Sequence, residues 1–126
     1  MQRDPLISLI TSGAATSDDL WDWIEAGFTY SQLMHLLSQD GTEFTTESMT
    51  AIADQIETYG PIAARYKRTG RVGFSATELL TARAAAQVFD SLIEMDRHGF
   101  ADQAARWSTA QVSRVMGMMG VQKGAA

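Results

Sequence analysis

The chain of 126 residues contains no cysteine, two prolines and two histidines. Without cysteine there is no disulfide and no thiolate to bind a metal or attack a substrate. His35 and His98 lie far apart in sequence, and no set of His, Asp and Glu has the spacing of a zinc site. No serine sits in a nucleophile-elbow setting, so the sequence offers no catalytic residues, implies no cofactor and is expected to belong to a non-enzyme. Alternating β-branched runs are missing, which leaves no candidate strand. No apolar run approaches the roughly 18 residues of a membrane span. Met1-Gln2-Arg3-Asp4-Pro5 does not begin a charged segment followed by a long apolar one, so no secretory leader is expected and a cytoplasmic location is. Positive charge is scarce at the start. Residues 1–60 hold one arginine against ten acids, a net of −9, whereas residues 61–126 hold nine basic residues against five acids, a net of +4.

What the chain does have is helix punctuation. Asp4 and Pro5 read as N-cap and first helical residue, with Gly13 as the stop. Asp18 and Asp19 suit the first turn of a second helix, where acids oppose the macrodipole, and Gly27 reads as its end. A hexapeptide device then recurs four times: Phe28-Thr29-Tyr30-Ser31-Gln32-Leu33, Phe44-Thr45-Thr46-Glu47-Ser48-Met49, Phe74-Ser75-Ala76-Thr77-Glu78-Leu79 and Trp107-Ser108-Thr109-Ala110-Gln111-Val112. In each, a hydroxyl residue can cap a helix, and the aromatic before it can pack on the apolar residue one turn in. Helix starts are expected near 30, 46, 76 and 109, with Gly60-Pro61 as a further break. Residues 76–98, free of Gly and Pro, read as the longest helix, with Leu80, Ala84, Val88, Leu92 and Met95 as its apolar stripe. The expectation is one all-α domain over 1–126, a bundle of about seven or eight helices. It divides into an acidic half (1–60), a basic link (65–71), a mildly basic half (72–119) and a frayed tail (120–126).

Residues 26–37, Ala-Gly-Phe-Thr-Tyr-Ser-Gln-Leu-Met-His-Leu-Leu, align without gaps on residues 105–116, Ala-Arg-Trp-Ser-Thr-Ala-Gln-Val-Ser-Arg-Val-Met, 79 positions later. Each follows a short predicted helix, as in a helix-turn-helix. The run Ser108-Thr109-Ala110-Gln111-Val112-Ser113-Arg114-Val115-Met116 resembles the recognition-helix segment of the lac-repressor-type helix-turn-helix family. Ala26-Gly27-Phe28-Thr29-Tyr30 resembles the turn of the same motif. The resemblance covers residues 100–119, with a degenerate acidic copy at 17–39. It implies base contacts from Thr109, Ala110 and Arg114, or from Tyr30, Ser31 and His35 in the first copy. Asp18, Asp19, Asp22 and Glu25 surround that first copy and oppose phosphate, which favours the second. The same residues also read as two capped helical hairpins that pack a core.

Arg65, Lys67, Arg68 and Arg71 form the densest run of positive charge. They suit phosphate neutralisation, and equally a solvated link that offsets the acidic half. The leading expectation is a helix-turn-helix DNA-binding regulator. It would use Arg106, Ser108, Thr109, Ser113 and Arg114 on bases and phosphates, with Arg65, Lys67, Arg68 and Arg71 on the backbone, as a homodimer formed through the long helix. The alternative is a phage- or plasmid-type accessory protein, a regulator or inhibitor without nucleic-acid contact. There Asp18, Asp22 and Glu25, one helical face, would join Trp21 and Tyr30 to engage a basic surface on a partner protein.

Overall fold

A computed structural model describes residues 5–119, with side-chain placement through Arg114. The Asp4 cap and the 120–126 tail lie outside the described residues. Among the described residues there are five helices and no strand: α1 (Pro5–Ser12), α2 (Ser17–Gln39), α3 (Thr46–Thr69), α4 (Ala76–Met95) and α5 (Phe100–Met119). The all-helical class is as the sequence implies, but the count of seven or eight helices is corrected to five. The expected breaks at Gly27, at Gly60-Pro61 and before Thr109 are all spanned by continuous helix. The longest helix is α3, with 24 residues, rather than the segment after residue 76.

Caps decide where two of the four hexapeptides act as expected. Thr45 accepts the Ser48 N–H at 3.1 Å and starts α3. Ser75 accepts the Glu78 N–H at 3.2 Å while the Glu78 carboxylate accepts the Ser75 N–H at 2.7 Å, a complete capping box for α4. Thr16 and Asp19 make a second complete box at the start of α2. The other two hexapeptides lie inside helices. Thr29 donates its hydroxyl back to the Glu25 carbonyl at 3.0 Å, and Ser108 does the same to Ala105 at 2.9 Å. A hydroxyl turned back on the preceding turn no longer caps. Pro61 is tolerated within α3 on its exposed side, where water can serve the Glu57 carbonyl that proline leaves without a donor.

The core is built on α2. Leu20, Trp21, Trp23 and Ile24 from its first half meet Ile7 and Ile10 of α1, Tyr59 and Ile62 of α3, Ala82 of α4 and Val112 of α5. Leu33, Met34 and Leu37 from its second half meet Ile52 of α3, Phe89 and Leu92 of α4 and Ala104 of α5. All four other helices therefore cover α2, which explains why its run is apolar on so many sides. On α4 the expected stripe is displaced. Ala82, Ala85 and Ala86 are buried with Phe89 and Leu92, while Leu80 is 68% exposed and Ala84 faces solvent. Small alanines face the core here, and the larger Leu80 lies outside.

The connection from α3 to α4 is held by Arg65. Its guanidinium donates to both Glu78 oxygens at 2.9 Å and to the Gly73 carbonyl at 3.1 Å. The Arg65 hydrogen bond, joined by the Ser75 N–H and hydroxyl, holds the Glu78 carboxyl below the usual glutamate range, against the opposing effect of burial. Because the folded value is depressed, the stabilisation is present above the ordinary glutamate pKa of about 4.3 and is lost as pH falls through the folded value. Glu78→Gln should therefore cost about 1–2 kcal/mol at neutral pH, and its deficit against wild type should close in strong acid. Urea unfolding across that pH range measures both. A deficit that persists unchanged in acid would exclude the charged pair as its source.

Candidate nucleic-acid interface

Helix α5 begins where Asp96 satisfies its free backbone donors. The carboxylate accepts the Phe100 N–H at 2.9 Å and the Ala101 N–H at 3.0 Å. Desolvation raises the Asp96 pKa, but hydrogen bonds from Ala101, Phe100, His98 and Gly99 outweigh it and hold the group below the usual aspartate range. From there α5 runs antiparallel along α2, since Ala104 shares a cluster with Leu33 and Leu37, and Val112 shares one with Trp21 and Ile24. The buried side is narrow and mostly small: Ala104 and Ser108 are fully buried, and Val112 nearly so. At the middle of the seam the Thr29 and Ser108 hydroxyl oxygens are 2.5 Å apart. Phe28 and Trp107 meet edge to face, centroids 6.4 Å apart. Both pairs join residues that are equivalent in the 79-residue repeat, so the two copies pack on each other about a local two-fold.

That arrangement corrects the expected helix-turn-helix geometry. Neither copy contains a turn, because α2 is helical through Gly27 and α5 through Arg106 and Trp107. Ser108, expected at an interface, faces α2 and is inaccessible. Arg106, Thr109, Ala110, Ser113 and Arg114 are all exposed. Their spacing of i, i+3, i+4, i+7 and i+8 puts them on one side of the helix, opposite the buried stripe. Among the described residues Arg114 reaches the Gln111 side-chain oxygen, at 3.4 Å.

The basic link is mostly helix. Residues 65–69 form the end of α3, and Gly70, at φ +74°, closes it. Arg65 is committed to Glu78, whose hydrogen bond raises the arginine pKa further, so it is removed from the contact set. Nothing in the sequence signals this pairing, since thirteen residues and the turn between α3 and α4 separate the two. Lys67, Arg68 and Arg71 are exposed.

The acidic aromatic face does not assemble. Asp18 is exposed, and Asp22 and Glu25 are half-buried. Trp21, however, is 1% exposed in the core, and Tyr30 stacks on Phe89 with centroids 4.3 Å apart. No group of three or more His, Asp or Glu side chains capable of holding a metal occurs among the described residues. No described helix is long and apolar enough to cross a membrane.

Comparison with protein-family models, with curated proteins and with solved structures gives no match.

Proposed function

We propose that this protein is a non-enzymatic DNA-binding regulator whose contact element is the outer face of α5. One observation carries the reading: Arg106 and Arg114 stand on one exposed side of α5 with only Thr109, Ala110 and Ser113 between them on that side. Eight residues of helix separate the arginines by about 12 Å along the axis. No acid lies between residues 103 and 114, so this stretch of the face is basic even though the chain is acidic and the exposed Asp102 stands one turn before Arg106 on the same side. A helix with small residues on its outward side can approach the floor of a major groove about 12 Å wide, while arginines reach phosphates or guanine edges. The helix would be presented along its length, backed by α2, and not by a turn and its N-terminus. Lys67, Arg68 and Arg71 would supply further phosphate contacts. Two copies would pair through the side of α4 that carries Leu80, the most exposed large apolar residue among the described residues, giving two contact helices per site. Protein binding through Asp18, Asp22, Glu25, Trp21 and Tyr30 is less well supported, because Trp21 is inside the fold and Tyr30 is half-buried against Phe89.

A mobility-shift titration on random-sequence duplex DNA tests this reading. Wild type should bind at about 50 mM salt and lose affinity steeply as salt rises, and Arg106→Ala with Arg114→Ala should reduce the logarithmic salt slope by about 2. Both side chains are exposed, so the double variant keeps its helical circular-dichroism signal. Wild type that gives no shift even at low salt would remove DNA as the ligand.

A further inference from the structure

Two helices of this protein end with the wrong charge. The last turns of α2 and α4 contain no basic residue. Instead α2 is closed by Asp40, and α4 carries Glu94 in its last turn, whereas the Asp96 that closes α4 turns its carboxylate to the first N–H groups of α5. Acids at the negative end of a helix dipole are unfavourable, and cations belong there. Both ends open on one cleft of about 750 Å³, lined by Leu37, Asp40, Ser91, Glu94 and Met95 among others. A second groove of about 700 Å³ shares Gly41 and Thr42 with this cleft. Met34, Phe44 and Met49 give it an apolar floor, and His35 and Glu43 stand at its edge. Met49 is 48% exposed and Met95 39%. The chain supplies some compensation of its own: Arg97 and His98 also line the cleft, and His98 lies 3.3 Å from Asp40. Glu43 and Glu94 form no ion pair among the described residues.

We propose that this paired groove docks a basic amphipathic helix of a partner protein. Its apolar residues would lie on Met34, Phe44, Met49 and Met95, and its Lys or Arg side chains would reach Glu43, Glu94, Asp40 and the carbonyl ends of α2 and α4. Helix-in-groove recognition needs an apolar trough with a charged rim, and methionine is the side chain that adapts most readily to an incoming surface. The charge complementarity that the sequence suggests for Asp18, Asp22 and Glu25 is thus moved to the opposite end of α2. None of these residues belongs to the α5 face, so the inference stands or falls apart from DNA binding.

The test is selection from a random library of helical peptides displayed against the whole protein. Enriched peptides should carry net positive charge and apolar residues at i, i+3 or i+4, and i+7. Their affinity should fall at least tenfold on Met49→Glu, and also on Glu43→Lys combined with Glu94→Lys. It should be unchanged on Arg106→Ala with Arg114→Ala. The substituted groove positions Glu43, Met49 and Glu94 are exposed, and a retained thermal melt verifies that each variant is folded. Enrichment of acidic or uncharged peptides, equal binding to Met49→Glu, or no enrichment at all would overturn the proposal. So would sedimentation showing that wild type self-associates and Met49→Glu does not, which would assign the groove to a second copy of this chain.

Discussion

Gly27→Ala should destabilise the protein by about 3 kcal/mol, although alanine is the better helix former by about 1 kcal/mol. Gly27 sits inside α2 without a positive φ, so conformational freedom is not its role. Its missing side chain is. A Cβ there would overlap the Tyr59 hydroxyl oxygen, approach the Tyr59 Cζ to 2.8 Å and the Gln55 Nε2 to 2.9 Å. None of these can retreat cheaply. Tyr59 is 5% exposed and Gln55 1%. Gln55 Nε2 donates to the Tyr59 hydroxyl oxygen at 2.7 Å. The Tyr59 ring is held edge-on by Trp23 at 4.9 Å and by Phe28 at 5.6 Å. Burial also pushes the Tyr59 pKa well above its ordinary value, so the phenol stays neutral throughout the accessible pH range. In a double-mutant cycle, Tyr59→Phe should recover part of the Gly27→Ala loss by removing the overlapping oxygen, a coupling of at least about 1 kcal/mol. Urea unfolding followed by circular dichroism measures it. A gain in stability on Gly27→Ala would mean that α2 and α3 do not approach so closely.

This contact also shows why the helices were only partly legible. Gly27 before Phe28 looks the same in sequence as Gly41 or Gly70, yet those two adopt positive φ values, +102° and +74°, and end their helices. What separates them is Tyr59, some thirty residues away. The hexapeptides at 44–49 and 74–79 cap helices because their hydroxyls are at the surface. Those at 28–33 and 107–112 do not, because Thr29 and Ser108 are drawn against each other. Even so, the 79-residue repeat that a gapless alignment displays is the register in which α2 and α5 touch. On the candidate interface, spacing alone gathered Arg106, Thr109, Ser113 and Arg114 on one side. Spacing could not turn Ser108 inward, since its partner lies on another helix. Nor could it separate Trp21, which is needed inside among the residues of α1 and α3, from an aromatic surface patch. The α4 stripe failed for a related reason: periodicity favours the large residues, and the core selected alanines at 82, 85 and 86.

Ser108 gives the sharpest test of how α5 is seated. Its hydroxyl and that of Thr29 make three short contacts, to Ala105, to Glu25 and to each other. Two hydroxyls hold two hydrogens, so one of the three contacts always lacks a proton. Removing one hydroxyl therefore leaves the other fully used: in Ser108→Ala, Thr29 still donates to Glu25. That substitution should cost less than about 1 kcal/mol and leave the α5 face in place. Ser108→Leu raises helix propensity and, beyond the hydroxyl that Ser108→Ala also removes, differs by its added bulk, yet it should cost about 3 kcal/mol, because the site is fully buried in a seam of small side chains with no room to accept it. The loss should be local first. Hydrogen exchange in residues 100–114 should accelerate before that of Ile52 or Ile62 in α3, since α5 rests on α2 and leaves α3 and α4 packed on each other. Binding through the outer face should fall in parallel for Ser108→Leu and persist for Ser108→Ala, although neither substitution touches that face. A Ser108→Leu protein with unchanged stability and exchange would show that α5 is not seated through this side.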